Sequence, residues 1–206
     1  SIPNSEVLKE MEIMDKALNI ARDFNAPVKK IRVFDFDDTL AQTKSKVFYT
    51  MPDGKKGSLT AEQFAEQGTE MLEQGAEFDF SDFDKVVKGK KGPLFEVAQT
   101  IADKRGTEDL FILTARGPNA AVAIKEFLDG IGLDIPLKNI TGLGDSSPLA
   151  KSSWIVDKAA EGYNDFYFAD DHVANVEAVQ KALDALPIKG KTQQAKVKFS
   201  QSKLHK

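Results

Sequence analysis

The stretch IRVFDFDDTLAQ, residues 31–42, places three carboxylates at the end of an apolar run. The run has the composition of a buried strand, because it is rich in β-branched and aromatic residues. The acids Asp35, Asp37 and Asp38 then follow within four positions. Like charges this close repel one another unless something positive lies among them. The stretch therefore predicts a strand that ends in a site for water, a lysine or a metal ion.

Composition limits the classes of protein to which the chain can belong. Its 206 residues suffice for one domain with a small insertion, and its 41% hydrophobic and 29% charged residues are ordinary for a soluble globular protein. No apolar run approaches the roughly 20 residues that span a membrane, and the first residues lack the pattern of a secretory signal. The absence of cysteine excludes disulfides, thiolate zinc sites and a cysteine nucleophile. We expect a cytoplasmic protein without membrane association.

The C-terminal segment, residues 187–206, is basic although the chain carries a net charge of −4. Six lysines and no acidic residue lie from Lys189 to Lys206. Such a segment can contact nucleic acid or an acidic partner, but its composition is more typical of a solvated terminus. It also contains one candidate for a last short strand, AKVKFS.

Periodicity divides the remaining chain into an N-terminal helix, a core and an insertion. Helical spacing over residues 5–24 predicts a helix that docks on the core, within an N-terminal extension of residues 1–29. In the insertion, residues 41–93, KVFYTMPDGKKGSLT predicts a β-hairpin, and a helix follows with a capping box at Thr60. The stretch AEFDFSDFDKVVKGKKGPL either frames a substrate opening or forms a lid whose phenylalanines pack on the core. We favour the lid.

The core, residues 30–40 and 94–186, shows apolar strands that alternate with amphipathic helices. The strands are KIRVFDF, DLFILTA and DFYFA, and a short extended piece lies in IPLKNITGL. Helices are predicted at 94–105, 118–130, about 148–161 and about 173–185. This alternation predicts an α/β fold with a Rossmann-like parallel sheet and helices on both faces. Ligands of such sheets bind beyond the carboxyl ends of the strands.

Polar residues follow three of these strands, and we expect them to meet at one edge of the sheet with a lysine from a helix start. The polar residues are Asp35, Asp37, Thr114, Asp170 and Asp171, and the lysine is Lys151. This set suits phosphoryl transfer to a carboxylate nucleophile, because a divalent cation must then bridge two anions. Magnesium prefers such hard oxygen ligands. Thr114 and Lys151 can hold phosphoryl oxygens, and Asp37 can protonate the leaving oxygen and then activate water.

Four motifs in this order resemble those of the haloacid dehalogenase (HAD) superfamily of phosphohydrolases. FDFDDTL matches the DxDx[TV] signature, LFILTAR resembles the second motif, Lys151 the third, and FYFADDHVANVEAV the fourth. The resemblance covers residues 31–40 and roughly 94–185. It implies a HAD-like fold with a small cap insertion after the first strand, and a magnesium-dependent phosphatase that forms an aspartyl-phosphate.

The resemblance also implies a role for each motif residue. Asp35 would be the nucleophile and a magnesium ligand, and Asp37 the general acid and base, with its backbone carbonyl on the metal. Asp171 would be the principal acid of the fourth motif, with Asp170 beside it. Many members place a second acid four residues later, where this chain has Asn175, whose amide can hold a metal-bound water. Dehalogenases of the family lack the acid at Asp37, so its presence favours phosphate chemistry.

The end of the second motif and the lysine of the third would hold the phosphate. Thr114, Ala115 and Arg116 are the predicted phosphate or substrate contacts of the second motif, although a surface ion pair is an equal alternative for Arg116. Lys151 is favoured over Lys158, because Lys158 falls well inside a helix.

Several substrates remain open. The insertion is short for a full cap domain, which favours an open site. TAR and ADD resemble the phosphatase module of polynucleotide kinase–phosphatases, so a nucleic-acid end is one candidate substrate. A small phosphomonoester such as a nucleotide is at least as good a candidate. A phosphotransferase or phosphomutase uses the same motifs and stays open as well.

A non-catalytic role is the alternative from another class. The chain as a whole resembles HAD-like proteins encoded by large tailed phages, which suggests a catalytically silent structural or interaction protein in a larger assembly, in the host cytoplasm or the virion. The first residue is not Met, which fits excision from a longer product. Because the predicted nucleophile and acid are both present, we favour the enzyme.

Overall fold

The structure, a computed structural model, describes residues 5–195. In chain order its elements are α1 (Ser5–Ala21), β1 (Lys30–Phe34), β2 (Ala41–Gln42), β3 (Lys46–Thr50), β4 (Lys56–Thr60), α2 (Ala61–Glu73), β5 (Glu77–Asp79), β6 (Lys90–Lys91), α3 (Phe95–Arg105), β7 (Leu110–Thr114), α4 (Ala121–Gly130), β8 (Ile140–Gly142), α5 (Pro148–Ala160), β9 (Asp165–Asp170), α6 (Val173–Asp184) and β10 (Lys189–Gln194). None of the helices in residues 5–195 is long and apolar enough to cross a membrane.

Five strands form one parallel sheet in the order β10-β9-β1-β7-β8. β1 lies in the middle, with Phe34 opposite Ala169 of β9 on one side and Ile112 of β7 on the other. The prediction of an α/β fold with a parallel sheet flanked by helices is confirmed, and the arrangement is consistent with a Rossmann-like fold. The predicted core helices are confirmed with bounds that differ by a few residues at most.

Each face of the sheet packs against its own helices. Phe34 of β1 lies in one apolar cluster with Phe95 of α3 and Ile124 of α4. Val33, its neighbour in β1, lies in the opposite cluster with Ile155 of α5 and with residues of α1 and α6. Successive side chains of a strand point to opposite faces, so strands covered on both sides are apolar throughout. This double burial explains why the core strands are continuous apolar runs in the sequence.

The N-terminal helix docks on the second of these clusters, as expected. α1 ends at Ala21 rather than at residue 24. Ala17 is fully buried in the cluster, and Ile13, Met14 and Leu18 pack partly against it. The apolar side chains in the second half of α1 therefore pack on the core, with α5 as the main neighbour of the helix, whereas Val7, Leu8 and Met11 in the first half are exposed.

Residues 41–93, here called the inserted segment, form sheets of their own between β1 and α3. β3 pairs in antiparallel fashion with β4 and β5, and β2 pairs with β6 where the segment leaves and rejoins the core. The predicted hairpin is confirmed, and its turn uses Gly54 with a φ of 89°. The capping box is confirmed too, because Thr60 and Gln63 each accept a backbone N–H from the other.

The phenylalanines of the inserted segment pack on one another. The ring of Phe64 in α2 lies 5.4 Å from that of Phe78 and 5.4 Å from that of Phe80, in edge-on contacts. Phe83 is buried in the same small cluster. The expectation that these rings pack on the main core is wrong for Phe78 and Phe80, because α2 offers them an aromatic partner within the segment itself.

The last described strand of the sheet lies earlier than predicted. β10 pairs in parallel with β9 and forms one edge of the sheet. It ends at Gln194, directly before the predicted strand AKVKFS, whose first residue, Ala195, is not in a strand, and residues 196–206 of the basic segment lie outside the described residues. Within the segment 187–206, residues 189–194 therefore belong to the core sheet. Their sequence, KGKTQQ, has no apolar signal, because an edge strand is held by backbone hydrogen bonds on one side and leaves side chains in solvent.

Gly142, at the end of β8, lies against the loop that follows β7. A Cβ atom at this position would be 2.2 Å from the carbonyl oxygen of Gly117 and 2.9 Å from that of Arg116. We predict that Gly142→Ala lowers the free energy of unfolding by about 1–3 kcal/mol, because the backbone must shift to admit the methyl group. Urea unfolding followed by circular dichroism measures the change.

Gly130→Ala is the matched control for this substitution. Gly130 is the last residue of α4, and a Cβ atom there would meet nothing within 4 Å. Alanine is favoured over glycine in a helix by up to about 1 kcal/mol, so this variant should be at least as stable as the parent. Equal destabilisation of both variants would show that the close packing at Gly142 is not the cause.

Candidate active site

The predicted site residues come together at the carboxyl ends of β1, β7 and β9. From β1 the chain continues to β7 and β8 on one side and only then to β9 and β10 on the other. The gap between β1 and β9 is therefore the topological switch point of the sheet, where ligands of such folds bind. The residues that line one pocket there include every predicted site residue, namely Asp35, Asp37, Thr114, Ala115, Arg116, Lys151, Asp170, Asp171 and Asn175.

Lys151 is buried between two of the carboxylates. Its Nζ donates to Asp35 Oδ1 at 2.8 Å and to Asp170 Oδ2 at 2.7 Å. α5 begins at Pro148, so its first turn brings Lys151 to the ends of β1 and β9. Burial alone would lower the pKa of Lys151, but the charges of Asp170 and Asp35 outweigh it and raise that pKa above its ordinary value. The ammonium group therefore stays charged.

The two acids at the end of β9 have different surroundings. Asp170 is buried and accepts hydrogen bonds from Lys151, from Asn175 Nδ2 at 3.1 Å and from the backbone N–H of His172 at 2.9 Å. Asp171 instead lies against Asp35, another acid. Because the oxygens of Asp170 are taken by protein donors, Asp171 is the more available of the two for a metal ion.

The carboxylates hold more negative charge than Lys151 neutralises. Asp35, Asp170 and Asp171 each have an oxygen atom within 4.8 Å of the others. Burial, together with the charge of Asp170, raises the pKa of Asp35 to about 7. Burial, together with the charges of Asp35 and Asp170, raises the pKa of Asp171 to about 11. The site therefore takes up protons or a cation to offset the repulsion.

Asn175 indicates that a cation fits the site. Its Nδ2 donates to Asp170, but its buried Oδ1 has no hydrogen-bond partner among the described residues. An unsatisfied buried carbonyl oxygen is costly, and a metal ion or a metal-bound water would satisfy it. Together with the carboxylates of Asp35 and Asp171, this oxygen gives a set of hard ligands of the kind that magnesium prefers. Magnesium itself stays a prediction.

Two threonine hydroxyls adjoin the carboxylates. Thr114 Oγ1 accepts the backbone N–H of Arg116 at 3.1 Å and keeps its own proton for donation. Thr39 Oγ1 donates to Asp35 Oδ2 at 3.1 Å, so it fixes the orientation of that carboxylate together with Lys151. Sequence analysis missed Thr39, although it occupies the last position of the DxDx[TV] motif and could have been found there.

Arg116 is buried and contacts Asp37. Its side chain is 1% exposed, and Nε and Nη2 donate to Asp37 Oδ2 and Oδ1, both at 2.8 Å. Nη2 also donates to Thr43 Oγ1, and Nη1 donates to the carbonyl oxygens of Phe83 and Lys85. Arg116 therefore does form an ion pair, but the prediction that this pair lies on the surface is wrong. In this arrangement the donors of Arg116 are taken by protein acceptors rather than left for a phosphate.

The inserted segment supplies part of the pocket, through the stretch that was one candidate frame for a substrate opening and through α2, whose contribution sequence analysis did not predict. Four residues in the first turns of α2 line the pocket, namely Ala61, Glu62, Phe64 and Ala65. The buried ring of Phe83, which follows β5, lines it as well. No motif marks these residues, because their position depends on how the inserted segment folds against the sheet edge. Asp38, Ser146 and His172 complete the lining.

The chain was compared with models of protein families, with curated proteins and with solved structures, and none of them matches it. The residues of the site themselves, by their place at the strand ends and their contacts with one another, indicate which chemistry this pocket is suited to.

The excess of negative charge predicts that neutralising Asp171 stabilises the metal-free protein. Folding raises the pKa of this acid, so the folded state binds the proton more tightly and stability falls as pH rises above the unfolded value of 3.8. In EDTA near neutral pH we expect Asp171→Asn to unfold about 2–4 °C above the parent, as for a gain of about 1 kcal/mol. The difference should vanish at about pH 4. Differential scanning calorimetry measures both.

Magnesium should reduce or reverse this difference in unfolding temperature, because it should stabilise the parent more than Asp171→Asn. A cation that binds the folded state raises the unfolding temperature of the parent, and it should raise that of Asp171→Asn much less, because a ligand is missing. Glu126→Gln, which removes an exposed charge from α4, is the control and should respond like the parent. A variant less stable than the parent in EDTA, or equal responses to magnesium, would contradict the charge excess and the metal site.

Proposed function

We propose that this protein is a magnesium-dependent phosphomonoester hydrolase of the HAD type that acts through an aspartyl-phosphate on Asp35. One observation carries the proposal. Lys151 is held between Asp35 and Asp170 at the switch point of a parallel sheet, beside the acid Asp171 and a buried Asn175 oxygen that has no hydrogen-bond partner among residues 5–195. A carboxylate nucleophile that must meet an anionic phosphate needs this combination of a fixed ammonium and a place for a cation.

The residues that would hold the magnesium ion are Asp35, Asp171, Asn175 and the backbone carbonyl of Asp37, with Asp170 orienting its neighbours. When bound, the ion would offset the repulsion between the phosphate and the nucleophile and polarise the phosphoryl oxygens. Asp170 contributes indirectly, because its carboxylate holds both Lys151 and the amide of Asn175 in place.

In the first step an oxygen of Asp35 attacks phosphorus, and the bond from phosphorus to the leaving oxygen breaks. Hydrogen bonds from Lys151 and Thr39 hold the carboxylate in one orientation for this attack. Lys151 and the hydroxyl of Thr114 donate to the phosphoryl oxygens as charge moves onto them. Asp37 gives its proton to the leaving oxygen, which departs as an alcohol.

In the second step water attacks the aspartyl-phosphate. Asp37, now a carboxylate, takes a proton from the water, and the bond between phosphorus and the Asp35 oxygen breaks. Asp35 is regenerated and inorganic phosphate leaves. The bidentate contact with Arg116 holds the carboxyl group of Asp37 in one orientation for this transfer.

We also propose that the α/β core is HAD-like and that the inserted segment is its small cap. The segment lies between β1 and α3, and Phe64 and Phe83 from it line the same pocket as the catalytic residues. The proposed substrates are a nucleotide, another small phosphomonoester or a nucleic-acid end, and the proposed compartment is the cytoplasm.

Magnesium-dependent release of phosphate by the purified chain tests the function. The substrates are an aryl phosphate, nucleoside monophosphates, sugar phosphates and a 3′-phosphorylated oligonucleotide. Turnover should fall by at least about a thousandfold in Asp35→Asn, as for loss of a nucleophile, and EDTA should abolish it. Asp134→Asn, whose side chain is 91% exposed, is the control and should keep full activity.

The outcomes separate the alternatives. The best substrate distinguishes a nucleotide from a nucleic-acid end. Transfer to an added alcohol in preference to water would indicate a phosphotransferase. No turnover on any substrate, in a folded protein that binds magnesium, would contradict the hydrolase and support a catalytically silent HAD-like protein.

A further inference from the structure

Arg116 joins the inserted segment to Asp37. A guanidinium group has five N–H donors in a planar fork, and here they meet five acceptors. Two are the oxygens of Asp37, at 2.8 Å each. The others are Thr43 Oγ1 at 3.1 Å and the carbonyl oxygens of Phe83 at 3.0 Å and Lys85 at 2.6 Å. Thr43 lies near the start of the inserted segment, and Phe83 and Lys85 lie near its end.

The backbone of Arg116 is fixed to the core. Its N–H donates to Thr114 Oγ1 at 3.1 Å, and its carbonyl oxygen accepts from the N–H of Gly144 at 3.0 Å. The guanidinium carbon lies 4.6 Å from the ring centre of Phe83 and 5.5 Å from that of Phe36, so aromatic rings contact it as well. The side chain therefore reaches from an anchored loop of the core to both ends of the inserted segment.

We propose that Arg116 is a positioning residue, which fixes the carboxylate of Asp37 for proton transfer and ties both ends of the inserted segment to that carboxylate. This inference rests on the proposed function, because it assigns to Arg116 a role in the same site. It replaces phosphate binding as the role of Arg116. The fork of five donors gives a geometric reason, since a phosphate would have to displace acceptors that already satisfy a buried guanidinium.

Arg116→Lys tests the proposal, because lysine keeps the positive charge but lacks the planar fork. Arg32→Lys is the matched control. Arg32 lies in β1 and pairs with Asp165 at the start of β9, so it is at the other end of these strands from the site. We expect Arg32→Lys to keep the kinetic constants of the parent.

The dependence on the leaving group distinguishes positioning from phosphate binding. For glycerol 2-phosphate, whose leaving oxygen needs a proton, kcat/KM of Arg116→Lys should fall by about a hundredfold. For 4-nitrophenyl phosphate, whose leaving anion is stable without one, it should fall by less than about tenfold. The inhibition constant of inorganic phosphate should stay within about twofold of the parent value. Equal losses on both esters with phosphate inhibition weakened about tenfold would overturn the proposal.

A double-mutant cycle tests whether Arg116 acts through Asp37. In an Asp37→Asn background, Arg116→Lys should change kcat/KM for glycerol 2-phosphate by less than about twofold, because the carboxylate that it positions is absent. A full hundredfold loss in both backgrounds would mean that the two residues act independently, and the proposal would be wrong.

Hydrogen exchange tests the tie without any need for activity. The N–H of Lys44 donates to the carbonyl of Val87, and the N–H of Val87 donates to Ser45 Oγ, so these amides report on the two ends of the inserted segment. Their exchange should become at least about tenfold faster in Arg116→Lys and stay unchanged in Arg32→Lys. If the parent hydrolyses no phosphomonoester, the proposed function fails, and unchanged exchange would then separately overturn the tie.

Discussion

The buried contact of Lys151 with Asp35 and Asp170 is the interaction on which the sheet edge and the site both depend. It joins α5 to the two strands at the switch point, and neither partner tolerates burial alone. Removal of one partner from such a contact typically costs about 3–5 kcal/mol, because an uncompensated charge is left behind. Yet one ammonium faces three carboxylates. The contact that joins α5 to this edge of the sheet therefore does not supply enough positive charge to balance the three acids there.

Two basic residues divide the acids of the site into different roles. Lys151 donates hydrogen bonds to Asp35 and Asp170, and Arg116 donates to Asp37, whereas Asp171 lies against another acid, Asp35. Four side chains of one chemical type thus acquire different surroundings from the strands and helices that carry them. In the proposed mechanism, it is the environment rather than the residue type that separates a nucleophile, a proton donor, an orienting group and a metal ligand.

The sequence predicts the core well because the physics of its strands is local. Strands buried on both faces are continuous apolar runs, and parallel strands bring their carboxyl ends to one edge, so positions in the chain suffice to group Asp35, Thr114 and Asp170. β10 was missed because its residues, KGKTQQ, are polar or glycine and are held in the sheet by backbone and side-chain hydrogen bonds, which leave no apolar pattern in the sequence. The partners of Arg116 were missed because two of them are carbonyl oxygens of Phe83 and Lys85, which have no signature in a sequence.

The acids buried at this edge of the sheet destabilise the metal-free fold, and this cost in stability favours the proposed catalytic role over that of a silent scaffold. A purely structural contact is served as well or better by apolar residues of similar volume, and both layers of the sheet already use them. At the switch point the chain instead buries acids that repel one another, and it leaves Asn175 Oδ1 without a donor among the described residues. Such local conflict within an otherwise consistent fold is typical of functional sites. A bound cation would relieve both the repulsion and the unsatisfied oxygen, so the edge is suited to the metal-bound state. In the proposed function, the same cation would attract the phosphate of the substrate to Asp35.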